Sequence, residues 1–479
     1  MKSYQAELSA RIAEERAAIE LLKITSDLSI ERSIDLTIFR FQLLDSRTSE
    51  ILNLHEYATN FVEKPINIFQ TLSIAQNIFK SKLCPSKIDI GKLTYEWITE
   101  KDQHENITTF VEKKLKFINT ESTKIQSKDV VLYGFGRIGR LLARELMAQE
   151  GKGEQLRLRA IVLRKNDQKN IIKRASLLRT DSVHGKFPGT VVEDLNNKAL
   201  IINGQSVKLI KASAPEEIDY TSHGIENALI IDNTGAFRDK EALSRHLAGK
   251  GVSKVLLTAP GKGIPNIVFG ANHLEYKIES HDIFSAASCT TNAITPILKT
   301  ISDHLGIEKG HIETIHAYTN DQNLVDNMHK NDRRGRAAAL NMVITSTGAG
   351  KAVVKVIPSL EGKLTANAVR VPTPNGSLAI LNLSIDKKTN LNDLNQIIKN
   401  SALNGPLVEQ INYSISRELV STDIVGNTSA AIFDSPATIV SKDGKSIILY
   451  VWYDNEYGYS RQVMRLAKYI SNVRRPVNY

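Results

Sequence analysis

Cysteine is nearly missing from this chain: its 479 residues hold only Cys84 and Cys289, too few for a disulfide framework. No apolar run reaches the roughly 18 residues that a membrane-spanning helix needs. The opening Met-Lys-Ser-Tyr-Gln-Ala-Glu lacks the apolar core of a signal peptide. These absences lead us to expect a cytoplasmic protein, no membrane contact, and thiols kept reduced. Repeats, low-complexity tracts and Arg/Lys blocks are also missing, despite a net charge of +10. Residues 1–127 hold 17 Lys and Arg against 18 Asp and Glu, so the positive excess lies in the remainder. Without a basic tail, nucleic acid is not an indicated partner. A basic region suits small anionic ligands as well.

Glycine is scarce in one region only. Of 27 glycines, Gly91 alone precedes Lys128. Before that point apolar residues recur three and four apart, as in Ile12, Ile19 and Leu22, and predict helices. These span 5–23, 29–54, 66–82, 91–101 and 107–118, with a Cys-Pro-Ser break at 84–86. From Asp129 short apolar runs alternate with helical patterns, the signature of a parallel α/β sheet. The expected strands are 130–133, 158–163, 228–232 and 254–258. Beyond Cys289 the strands are longer (312–318, 364–371, 377–383 and 447–453) and predict a mixed sheet. The expected fold is therefore α/β: an all-α extension (1–126), a dinucleotide-binding domain (127–288, completed by 455–479) and an α+β catalytic domain (289–454).

Chemistry concentrates at two places. Val130-Val-Leu-Tyr-Gly134-Phe-Gly136-Arg-Ile-Gly139 reads as a strand and a Gly-x-Gly-x-x-Gly turn opening a helix. Its glycines permit a tight turn, close approach to a pyrophosphate and helix–strand packing, which is the Rossmann arrangement. The second place is Ser288-Cys289-Thr290-Thr291-Asn292, which precedes a helical pattern containing Pro296. A thiolate there faces unpaired amides and the positive end of a helix dipole. His316 follows 27 residues later and is a candidate base that would aid the thiolate as an imidazolium.

These runs resemble the phosphorylating glyceraldehyde-3-phosphate dehydrogenase family. Its nucleophile pattern Ser-Cys-Thr-Thr-Asn stands at 288–292, and its base pattern His-Ala-Tyr-Thr-Asn-Asp-Gln at 316–322. Gly-Phe-Gly-Arg-Ile-Gly-Arg (134–140), Asp181-Ser-Val-His-Gly185, Arg370-Val-Pro-Thr-Pro and Trp452-Tyr-Asp-Asn-Glu-Tyr-Gly-Tyr-Ser460 also match. The resemblance runs from about Lys128 to Tyr479 and leaves the first 126 residues out.

The resemblance implies oxidation of glyceraldehyde 3-phosphate through a thioester on Cys289, with His316 as base and inorganic phosphate as second substrate. The sister activity on erythrose 4-phosphate is the alternative. It also implies a homotetramer, with the N-terminal helices free to add a partner-binding or regulatory role. The implied cofactor is NAD or NADP, held by Gly134, Gly136, Arg137, Ile138, Gly139, Thr258 and Asn455. The implied phosphate sites use Thr319, Asp321 and Arg370, and then Ser288, Thr290, Thr347, Gly348 and an Arg best matched by Arg333, with Arg334 as the alternative. No metal is implied.

One departure bears on the cofactor. An acidic residue should end the second strand and bind the adenosine ribose, but Arg164-Lys165 stand there. Counting back from Asp181 instead puts Asn166-Asp167 at the family's Asn-Asp. Asn327-Met328 also replaces the Leu-Pro typical of NAD-specific members. Arg164 at the ribose favours NADP, and Asp167 there favours NAD.

Overall fold

The computed structural model describes residues 4–118, 125–148 and 155–478. These fall into two compact units, one taking residues up to Gln126 together with those from Val473 onward, the other the rest.

The first unit begins with α1 (Tyr4–Arg32), which buries Leu21, Ile24 and Leu28 through its second half. Then come β1 (Ile34–Ile38), β2 (Phe41–Gln42), α2 (Thr48–Val62), α3 (Ile68–Lys80), β3 (Ser86–Asp89), α4 (Ile90–Glu100) and α5 (Ile107–Lys114). The unit is thus mainly helical, but a four-stranded sheet replaces part of the helix expected over 29–54. Ile34, Leu36 and Ile38 satisfy a two-residue period as well as a helical one, and here the strand wins. The β1–β2 turn holds Phe39 and Arg40 at positive φ, which non-glycine residues rarely adopt. The buried Asp89 carboxylate holds the turn by accepting from the Phe39 and Arg40 amides at 2.8 and 2.7 Å. It also caps α4 through Lys92 N. The sheet is completed by the short strand Val477–Asn478, parallel to β3.

The second unit opens with β4 (Lys128–Tyr133), α6 (Arg137–Ala148), β5 (Leu156–Leu163), α7 (Gln168–Arg179) and the small hairpin of β6 (Thr180–Asp181) with β7 (Gly185–Lys186). A meander of β8 (Val191–Asp194), β9 (Ala199–Ile202) and β10 (Gln205–Lys211) follows. Then come β11 (Ala228–Asp232), α8 (Lys240–Leu247), β12 (Val252–Leu257) and β13 (Ile283–Ser285). The eight strands order as β13-β12-β11-β4-β5-β10-β9-β8. The first six run parallel. Every residue of β11 is buried, as expected of a parallel strand covered on both faces.

α9 (Cys289–Leu305) leads into the second sheet, built from β14 (Lys309–Ala317), β15 (Val343–Thr345), β16 (Leu364–Val371) and β17 (Ser377–Ser384). Short α10 (Ala349–Val354) lies between β15 and β16, and α11 (Leu391–Leu403) follows β17. β18 (Ile411–Ser414), β19 (Ala431–Asp434), β20 (Ile439–Val440), β21 (Ser446–Tyr453) and α12 (Tyr457–Ile470) complete the unit. The order β15-β16-β14-β17-β21-β19-β18 mixes parallel and antiparallel pairs. β21 alternates between fully buried and partly buried residues after Ser446, so one face carries the core under α9.

Candidate active site

Cys289 is the first residue of α9, and Ser288 is its N-cap, accepting from Thr291 N at 3.0 Å. His316 lies near the end of β14, with Nε2 3.6 Å from Cys289 Sγ. Parallel pairing of β14 with β16 sets His316 opposite Arg370. Arg370 Nη1 donates to Ala317 O at 2.9 Å and sits 3.0 Å from His316 Nδ1. The shorter contact of Nδ1, 2.7 Å, is to Ala317 O, which can only accept. We therefore assign the proton to Nδ1, leaving the Nε2 lone pair toward the sulfur.

Electrostatics agree with a neutral resting pair. Burial pushes the thiol up, with Arg370 the strongest opposing influence. Burial, then the Arg370 charge, brings His316 down to about 3. The imidazolium expected from the sequence is thus absent at neutral pH. A neutral imidazole is free to take the thiol proton.

Tyr453 was not anticipated. Its hydroxyl lies 3.0 Å from Thr290 Oγ1, and its ring meets the His316 ring edge-on. Tyr459 supports the turn before Cys289 by donating to Ala287 O at 2.9 Å. Both tyrosines lie in the 452–460 motif, but only the cross-strand and helix packing reveals their roles. Ser377 was also missed: it accepts from Ala317 N and donates to Asn455 Oδ1 at 2.8 Å. That turns the Asn455 side-chain oxygen toward Ser377.

The anion-binding candidates divide. Arg370 Nε is buried without a hydrogen-bond partner, leaving a donor for an anion. Asp321 pairs with Arg334 and lies near His329. Arg334 also donates to Thr345 Oγ1 at 3.0 Å. Arg333, the better motif match, is exposed. Both sit on one 3-10 turn, Asp332–Gly335, and its winding turns Arg334 inward in place of Arg333. Thr319 is half-buried just past β14. Thr347 Oγ1 accepts from Ala349 N, and Gly348 faces open space. The hydroxyls of Ser288 and Thr290 are already engaged, with Thr291 and Tyr453 respectively.

The glycine turn fits a dinucleotide. Gly134 has φ of +95°, and a side chain on Gly139 would meet Gly134 O at 2.6 Å. Gly136 faces no protein atom within 4 Å, which leaves room for a pyrophosphate beside the amides opening α6 at Arg137 and Ile138. The Arg137 side chain instead joins Glu456 and Asp181, while His184 reaches Glu456 at 3.1 Å. This explains the 181–185 motif: it anchors the start of α12 beside Asn455. Thr258 Oγ1 donates to Asp232 O. The Asp232 carboxylate accepts from Thr234 N and contacts buried His246 at 2.9 Å, fixing both cofactor-side turns.

Comparison with known proteins matches residues 128–240 to the glyceraldehyde 3-phosphate dehydrogenase NAD binding domain. Residues 288–455 match the C-terminal domain of the same enzyme. A glyceraldehyde-3-phosphate dehydrogenase-like protein of Pseudomonas aeruginosa is 47% identical over 439 residues, covering 91% of this chain and 94% of that protein. That span reaches into the N-terminal segment. Glyceraldehyde-3-phosphate dehydrogenase 2 of Trichormus variabilis is 40% identical over 71% of this chain and 98% of its own length. The Priestia megaterium enzyme is 40% identical over 71% and 96%.

Three substitutions test this geometry. Arg370→Gln removes the cation that lowers the thiol, so alkylation of Cys289 by iodoacetamide at neutral pH should slow; an unchanged rate would refute the electrostatic assignment. Gly136→Ala should leave thermal stability unchanged but abolish nucleotide binding. Gly139→Ala, by crowding Gly134, should lower stability by about 1–3 kcal/mol; equal melting of the two variants would contradict the packing.

Proposed function

The chain belongs to the glyceraldehyde 3-phosphate dehydrogenase family, and from that premise we propose that it oxidises glyceraldehyde 3-phosphate to 1,3-bisphosphoglycerate with uptake of phosphate. Membership makes it an oxidoreductase using NAD or NADP. The observation that carries the finer reading is the Cys289–His316 contact at the start of α9, with Arg370 alongside.

In this reading Cys289 Sγ attacks the aldehyde carbon while its proton passes to His316 Nε2. His316 returns that proton to the new alkoxide, completing a thiohemiacetal. Asn455 would hold the nicotinamide and the glycine turn the pyrophosphate of the cofactor, which would supply the hydride acceptor. As hydride departs, His316 takes the hydroxyl proton and a thioester remains. Inorganic phosphate then attacks the thioester carbon and the Cys289 thiolate leaves. Arg370, Thr319 and the Asp321–Arg334 pair serve the phosphates. The Cys289 amide, at the helix start, is placed to steady the oxyanion.

Assembly belongs to the proposal. Leu324, Val325, Met328, Leu340 and Met342 are each at least two-thirds exposed, an apolar surface suited to burial between subunits of a homotetramer. No helix among the described residues is long and apolar enough to cross a membrane, and the working thiol suits the cytoplasm.

Cys289→Ser should abolish aldehyde oxidation, and His316→Asn should lower it roughly 100–10,000-fold. The assay follows reduced cofactor with and without phosphate, on glyceraldehyde 3-phosphate and erythrose 4-phosphate. Retention of more than a few percent of activity in Cys289→Ser, or indifference to phosphate, would refute the reading. Sedimentation of the wild type at a monomer's mass would refute the tetramer.

A further inference from the structure

We infer that the adenosine end of the cofactor site is built for a ribose 2′-phosphate, so that this chain prefers NADP to NAD. The inference rests on the dinucleotide reading above and deepens it. In a sheet of this kind the residue just past the second strand meets the adenosine ribose: a carboxylate reads the free 2′-hydroxyl, and a cation accommodates a 2′-phosphate.

β5 is that strand, and it ends at Leu163. Arg164 and Lys165 follow, both exposed. Among the described residues neither makes a hydrogen bond or salt bridge. The polar residues able to read a diol instead make bonds within or beside the loop. Asn166 donates to Leu209 O at 2.8 Å. Asp167 caps α7: one carboxylate oxygen accepts from Asn170 N at 3.1 Å and the other from Asn170 Nδ2 at 2.6 Å.

A separate observation concerns the neighbouring strand. Parallel β10 sets Lys211 in register with Leu163, and Lys211 is also exposed. Arg164 and Lys165 thus follow the end of β5 and Lys211 ends β10, while Asp167 caps its own helix. A phosphate dianion at that edge gains charge-assisted hydrogen bonds that a hydroxyl cannot make.

The test is calorimetric titration of the full chain with adenosine 2′,5′-bisphosphate and with 5′-AMP, which represent the two cofactors without the reacting ring. The bisphosphate should bind at least about tenfold tighter, given the usual strength of such contacts. The double variant Arg164→Ala/Lys165→Ala should erase that difference and leave 5′-AMP binding unchanged, which also reports that the variant is folded. Equal affinities in the wild type, or a preference that survives in the variant, would overturn the inference while the dinucleotide site stands. Binding of neither nucleotide would overturn both. Aldehyde oxidation does not enter the measurement, so failure of the proposed reaction leaves this result unaffected.

Discussion

A sulfur and an imidazole nitrogen 3.6 Å apart impose requirements on four elements at once. The sulfur depends on where α9 starts, which the Ser288 cap fixes. The imidazole depends on β14 and on the Ala317 carbonyl. The register of β14 with β16 then decides that a guanidinium lies beside the ring. Slipping that register by one residue would send Arg370 to the opposite face. Antiparallel β17 brings Ser377, which links Ala317 to Asn455. His316 and Asn455 are therefore linked through β14 and β17 by way of Ser377.

Burial and charge oppose each other at this pair. Enclosure favours the uncharged forms of both groups, and Arg370 favours the thiolate while disfavouring the imidazolium. The cavity thus keeps an acceptor ready for the thiol proton without a standing ion pair. Elsewhere in the unit charges are matched directly: Arg137 is held between Asp181 and Glu456, which ties the opening of α6 to that of α12.

What could be read from the sequence was local. Motifs located Cys289, His316 and the glycine turn, because each combines rare residue types with a required flank. The strands at 364–371 and 377–383 and the helix after Cys289 followed from apolar period. Contacts made by distant segments stayed hidden. Nothing near Tyr453 announces its place beside Thr290, and Ser377 is one serine among many. The choice between Arg334 and Arg333 depends on how one turn winds. In the first unit, a Phe-Arg pair carries no hairpin signal, and Asp89 supplies the stabilisation from fifty residues away in the chain. The meander of β8 to β10 and the pair β18–β19 also escaped, being short strands between stronger patterns.

The strand Val477–Asn478 beside β3 has a consequence for the order of events during translation. β1 and β3 leave the ribosome before the second unit, whereas the strand that closes the other side of β3 emerges after it. Until then β3 presents an open edge, the kind of surface that recruits stray strands from other nascent chains. The sheet of the first unit is therefore finished only after the residues that form the second unit have been made.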